Sequence, residues 1–227
     1  ITCRDWSSDV CSSDLRLHSL VMLHELEDPS SLAPFAALRA LAIRVGRPLP
    51  KDAVRLPLLE RLEVEVVPGG HSTLIEVVDS LGQNTAGLRE LRFHGELDPG
   101  SLGRLSELDR LEWLRLDWLP LSEPPDLAPL ARLRRLRSLA LRGGAGLFEA
   151  AWDVTARLPR LRVLSLTSLS GDPVQASRAP SGLNALLLEG RVDASDVEAL
   201  SRLGALRVRS EERRVGKECR EWWVEDQ

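Results

Sequence analysis

Leu111–Leu116 reads LEWLRL; 25 residues on, Leu136–Leu141 reads LRSLAL, and after another 25, Leu161–Leu166 reads LRVLSL. The same frame, Leu-x-x-Leu-x-(Leu/Ile/Val/Phe/Met), occurs as LHSLVM from Leu17, LRALAI from Leu38, LERLEV from Leu59 and LRELRF from Leu88. It returns as LNALLL from Leu183 and LGALRV from Leu203, which makes nine occurrences spaced 20 to 29 residues apart. Within each frame the closing Leu-x-Leu alternates with period two, which places both leucines on one face of a short strand and their neighbours on the other. A bundle of amphipathic helices would instead carry a 3.6-residue period through each segment. A repeat this short cannot bury its own leucines, so each must borrow its neighbours' apolar faces and strand hydrogen bonds. The expected fold is α/β: a curved parallel sheet with one short strand per repeat and helices or turns on the convex side.

The intervening segments fit that return path. Leu32–Leu38 (LAPFAAL) and Leu127–Leu133 (LAPLARL) share the form L-x-P-(L/F)-x-x-L. Thr73 and Glu76 have capping-box spacing, and Leu74, Val77, Val78 and Leu81 follow on one helical face. Ser195 and Glu198 are expected to open a second helix in the same way, through Val197, Leu200 and Leu203. Phe148 and Trp152, four apart on another predicted helix, are expected to fill the core. Arg142-Gly-Gly-Ala-Gly146 lacks the Lys-Ser/Thr of a phosphate loop and is read as turn punctuation.

Across Arg16 to Val208 the frame, its period and the L-x-P-L turns resemble the leucine-rich-repeat (LRR) family, which implies an LRR solenoid. The family commonly places Asn three residues after the last strand leucine; here those positions hold Glu25, Gly46, Val67, Glu96, Leu119, Gly144, Leu169 and Arg191. Arginine-rich, irregular repeats of this kind look like the sensor arrays of large bacterial signalling NTPases, and like stand-alone bacterial repeat proteins. The resemblance implies a non-catalytic recognition module that binds a protein partner on its concave face, as a fragment of a larger multidomain bacterial protein. A second reading is the substrate-recruiting repeat region of an enzyme, an NTPase or an effector, whose catalytic domain is missing.

On the concave face, binding candidates are the outward residues at the third, fifth and seventh positions of each frame. Across the middle these are Arg61, Glu63 and Glu65; Glu90, Arg92 and His94; Trp113, Arg115 and Asp117; then Ser138, Ala140 and Arg142. Tryptophan and arginine are enriched at interface hot spots. The candidate site is therefore Arg92, His94, Trp113, Arg115 and Asp117, with Trp118 at the strand exit.

The chain ends differ from its middle. Asp5–Leu15 (DWSSDVCSSDL) and Arg209–Cys219 (RSEERRVGKEC) resemble the translations of a pair of sequencing-library adapters. Residues 1–15 and 209–227 are therefore expected to be adapter-derived, and 16–208 to be the repeat domain, truncated at both ends. All three cysteines, Cys3, Cys11 and Cys219, lie in those ends, so no disulfide or thiol chemistry is read from them. The net charge is −4 overall, and in the middle the two signs nearly balance, which gives no general field for nucleic acid. No apolar run is long enough to span a membrane. The four histidines lie in different repeats without metal-ligand spacing, and no carboxylate pair is secluded enough to be tuned for acid–base work. No catalytic residue, metal or cofactor is expected, and no nucleic acid or membrane partner. The expected location is the cytoplasm.

Overall fold

In the structure, a computed structural model, the described residues are 2–3, 17–27, 32, 34–49, 56–67, 70, 73–81, 87–97, 100–118, 126–204 and 208–210. Asp5–Leu15, and Glu211–Cys219 of the second adapter-like segment, lie outside the described residues. Ten strands form one open sheet in sequence order: β1 (Thr2–Cys3), β2 (Ser19–Glu25), β3 (Ala40–Val45), β4 (Arg61–Val66), β5 (Glu90–His94), β6 (Trp113–Asp117), β7 (Ser138–Gly143), β8 (Val163–Ser168), β9 (Ala185–Glu189) and β10 (Val208–Ser210). Every neighbouring pair is parallel. The pairing includes Thr2–Cys3 and Arg209–Ser210, so the sheet reaches beyond residues 16–208 on both sides.

Register follows the frame residue for residue. Leu62, Leu91, Leu114, Leu139, Leu164 and Leu186 are aligned across β4 to β9, and Val64, Phe93, Leu116, Leu141, Leu166 and Leu188 form the next inward row. All of these side chains are buried. A strand places alternate side chains on opposite faces, so this register builds a continuous aliphatic core and leaves the third, fifth and seventh frame positions on the other face.

The return path is set by a change of spacing. Leu127, Leu130, Leu133 and Leu136 recur every three residues and are all buried, which suits the three-residue turn of a 3-10 helix. A 3-10 helix forms at Ala128–Arg132, and amides of Leu130, Leu133 and Leu136 each donate to the carbonyl three residues back, at 3.0 Å. Longer repeats hold helices: α1 (Leu74–Leu81), α2 (Ser101–Leu105), α3 (Leu147–Thr155) and α4 (Ala194–Ser201). α1 carries the expected cap, with the Thr73 amide donating to Glu76 at 2.9 Å and the Glu76 amide facing the Thr73 hydroxyl at 3.5 Å. Phe148 and Trp152 fill the core beneath α3, their rings stacked with centroids 6.4 Å apart.

The expected opening of α4 is corrected. Its N-cap is Asp193, in extended conformation, and the capping box closes with Asp196; Ser195 lies inside the first turn and donates to Asp193 instead. Asp caps a helix as well as Ser does, so the earlier residue with suitable backbone geometry takes the position. The Ser195 hydroxyl and then the Asp196 amide hold the Asp193 carboxyl below the usual carboxylate range. With the start moved, Val197 is 45% exposed and only Leu200 of the expected face is buried.

Side chains also tie successive repeats together. The Asp172 carboxylate accepts from the Gly146 amide at 2.8 Å and from the Ser168 hydroxyl at 3.2 Å. Asp196, buried beneath α4, accepts from the Ala176 amide one repeat earlier at 2.7 Å and from the Asp193 amide at 3.1 Å. Replacing Asp196 with Ala leaves a buried amide without its acceptor, for an expected loss of about 1–3 kcal/mol. Thermal unfolding followed by circular dichroism reads this; a melting curve superimposable on the wild type would contradict the role given to Asp196.

Candidate binding face

Three rows of side chains leave the sheet opposite the leucine core. The first runs Ala40, Arg61, Glu90, Trp113, Ser138, Val163, Ala185, and the second Ala42, Glu63, Arg92, Arg115, Ala140, Ser165, Leu187. The third runs Arg44, Glu65, His94, Asp117, Arg142, Thr167, Glu189. The sheet thus brings Arg92, His94, Trp113, Arg115 and Asp117 onto two adjacent strands, with Arg92 opposite Arg115 and His94 opposite Asp117.

The two arginines would repel if left alone, and carboxylates hold each in place. Arg92 bonds Glu90 at 2.8 Å and lies 3.8 Å from Glu63 on β4. Arg115 sets Nε and a terminal nitrogen against the Asp117 carboxylate at 3.1 and 2.9 Å. Asp117 is only 9% exposed in spite of its outward position, because this guanidinium covers it. His94 Nδ1 stands 3.7 Å from the same carboxylate, beyond hydrogen-bonding reach. The charges across β4 to β6 largely satisfy one another, so each exposed pair adds about 0–1 kcal/mol to stability. Their main physical effect is to fix the guanidinium planes.

Trp113 remains 39% exposed. Its cross-strand partner on β7 is Ser138, and that of Arg115 is Ala140. Large side chains thus meet short ones at the β6–β7 line, and the surface steps down from a charged, aromatic half to a floor of Ala140, Val163, Ser165, Ala185 and Leu187. Arg142, exposed at the edge of this floor, has no ion pair among the described residues.

Trp118 does not belong to this face. It is 5% exposed and sits in the core, its indole lying against the backbone of Gly143. The period-two alternation ends at Asp117; the next residue follows the chain as it turns inward, and its amide donates to the Arg142 carbonyl at 3.0 Å. Sequence reasoning also missed the apolar floor, whose members are individually unremarkable and become a surface only through the register.

A solved internalin from Listeria monocytogenes str. 4b F2365 superposes on 88% of this chain with a TM-score of 0.54, at 18% identity. The fold is a leucine-rich-repeat solenoid. At that identity the likeness carries the architecture alone, and this chain matches 56% of the internalin's length. No protein-family profile and no curated protein matches the sequence. Among the described residues of the solenoid, no His, Cys, Asp and Glu side chains are grouped so as to hold a metal ion, and no helix is long and apolar enough to cross a membrane.

Proposed function

We propose that the solenoid is a non-catalytic recognition module that binds a protein partner through the sheet face of β5 to β9. The observation that carries this reading is the exposed Trp113 next to the fixed Arg115 on β6, with Glu90 and Arg92 of β5 on one side and the short side chains Ser138 and Ala140 of β7 on the other. An indole at such a step offers a wall for an apolar side chain entering over Ala140. The two guanidiniums, already oriented by Glu90 and Asp117, donate to partner carboxylates or carbonyls with little further loss of rotamer freedom. Residues 16–208 are the working unit in this reading, the sensor part of a larger bacterial protein acting in the cytoplasm, and the two adapter-like ends take no part in recognition.

Replacing Trp113 and Arg115 with Ala, one at a time, is expected to weaken partner binding by about 1 kcal/mol or more each while the melting curve holds. Affinity capture with the wild type, each variant and a convex-face control, Glu149→Ala, followed by titration of the recovered partner, makes the comparison. A partner held equally by all four proteins would remove the sheet face from the interaction.

A further inference from the structure

A second concentration of charge lies on another surface, the edge where the chain rises from the convex side into the strands. Each repeat turns there, and amides of Leu111, Leu136 and Leu161 close equivalent turns on the carbonyls of Leu108, Leu133 and Leu158. The last residue of the turn before the frame is Ala37, Leu58, Gly87, Arg110, Arg135, Arg160 and Gly182 in successive repeats. Three arginines therefore follow one another in three consecutive repeats; of the two remaining frames, that from Leu203 carries Arg202, which pairs with Glu198, and that from Leu17 carries Arg16, outside the described residues.

The neighbouring row, the second residue of the frame, runs Arg39, Glu60, Arg89, Glu112, Arg137, Arg162, Asn184, each amide bonding the preceding repeat's carbonyl at 2.7–2.8 Å. Its charges alternate as far as Arg137 and then repeat with Arg162. Arg39 pairs with Glu60, and Arg137 lies 3.5 Å from Glu112. Arg162 reaches only main-chain carbonyls, those of Leu161 and Gly182. With Arg134 beside Arg135, six exposed arginines gather on this edge in the three repeats whose frames begin at Leu111, Leu136 and Leu161, and the carboxylates on the turns and row of those three repeats are Asp109 and Glu112. Among the described residues, Arg110, Arg134, Arg135 and Arg160 have no ion pair.

Stacked repeats lie about 4.8 Å apart. Guanidiniums at that spacing repel by roughly 1 kcal/mol per adjacent pair even in water, a cost that an anionic partner would convert into attraction. We infer that this arginine edge is a second docking surface, for an acidic segment of a protein. Its length favours one class of partner: three repeats span about 10 Å between the outer arginines, which at about 3.4 Å per phosphate meets only about three or four phosphates of one nucleic-acid strand, and those at a spacing shorter than the repeat. Carboxylates at i and i+4 of a helix lie about 5–6 Å apart, close to the repeat spacing, and each suits the planar fork of one arginine.

The test uses the full chain and two labelled probes, a glutamate-rich peptide and an oligothymidylate of equal charge, followed by fluorescence anisotropy from about 0.05 to 0.5 M salt. The peptide is expected to bind more tightly than the oligonucleotide and to weaken with salt. Arg135→Glu with Arg160→Glu should weaken peptide binding about tenfold or more. Arg135→Lys with Arg160→Lys should retain part of it, and the distant Arg47→Glu should change it little. Circular dichroism on each variant separates loss of fold from loss of the surface. Binding of neither probe, tighter binding of the oligonucleotide, or equal weakening by Arg47→Glu would each overturn the inference, and none of these bears on the sheet face.

Discussion

Replacing Trp152 with Ala is expected to cost about 3–5 kcal/mol, the range for removing a large aromatic side chain from a closed core. Trp152 is 1% exposed, stacks on Phe148 and donates its indole N–H to the Val174 carbonyl at 2.8 Å. The truncation therefore opens a cavity under α3 and removes a bond between two repeats at once. Trp152→Phe keeps most of the volume and loses the bond, so its expected cost is smaller, about 1–3 kcal/mol. Urea unfolding of the three proteins gives the order directly. Because a solenoid is stabilised chiefly between neighbours, hydrogen exchange in Trp152→Ala should rise first in β8 and β9. A loss below about 1 kcal/mol would show that the indole is not enclosed as described.

A side chain at Gly143 is expected to be nearly as damaging. A Cβ there would stand 2.3 Å from one ring atom of Trp118 and 2.4 Å from another. Gly143→Val must displace a buried indole whose ring has no flexible end to give, at an expected cost of about 1–3 kcal/mol or more. Combining it with Trp118→Leu frees the space, so the double variant should be more stable than the sum of the two single changes allows. That non-additivity, measured as a double-mutant cycle by chemical unfolding, is the signature of direct contact. Additive costs would place the two residues apart.

These two sites show what the sequence carried and what it did not. Strand positions and inward leucines were legible because period two at fixed offsets leaves one face to bury, and the return turns because Leu32–Leu38 and Leu127–Leu133 share one form; the 3-10 geometry at Ala128–Arg132 was not read from it. The Thr73 and Glu76 cap was legible because both partners lie within four residues. Links between repeats were not: Asp172 reaches Gly146, and Asp196 reaches Ala176, over separations that no local pattern marks. Glycine misled in the same way. Of Gly143, Gly144 and Gly146, only Gly146 has a left-handed backbone, at φ 74°; Gly143 is needed for space, against a tryptophan 25 residues earlier. The candidate site was legible as alternation on β5 and β6 and failed at Trp118, where the strand ends and alternation stops assigning faces. The apolar floor beside it depends on which residues of β7 to β9 align with Trp113 and Arg115, and only the sheet supplies that register.

The central claim, that recognition uses the sheet face, is tested most directly by photo-crosslinking from single positions on either side of the solenoid. A benzophenone amino acid replaces Ala140, on the floor beside Trp113 and Arg115, or Glu149, exposed on the convex helix α3, and the full chain is irradiated in an extract of its native host. The expected result is a discrete crosslinked protein from position 140 that is lost when Trp113 and Arg115 are replaced by Ala, and no such product from position 149. A partner crosslinked from position 149 and not from 140 would contradict the account.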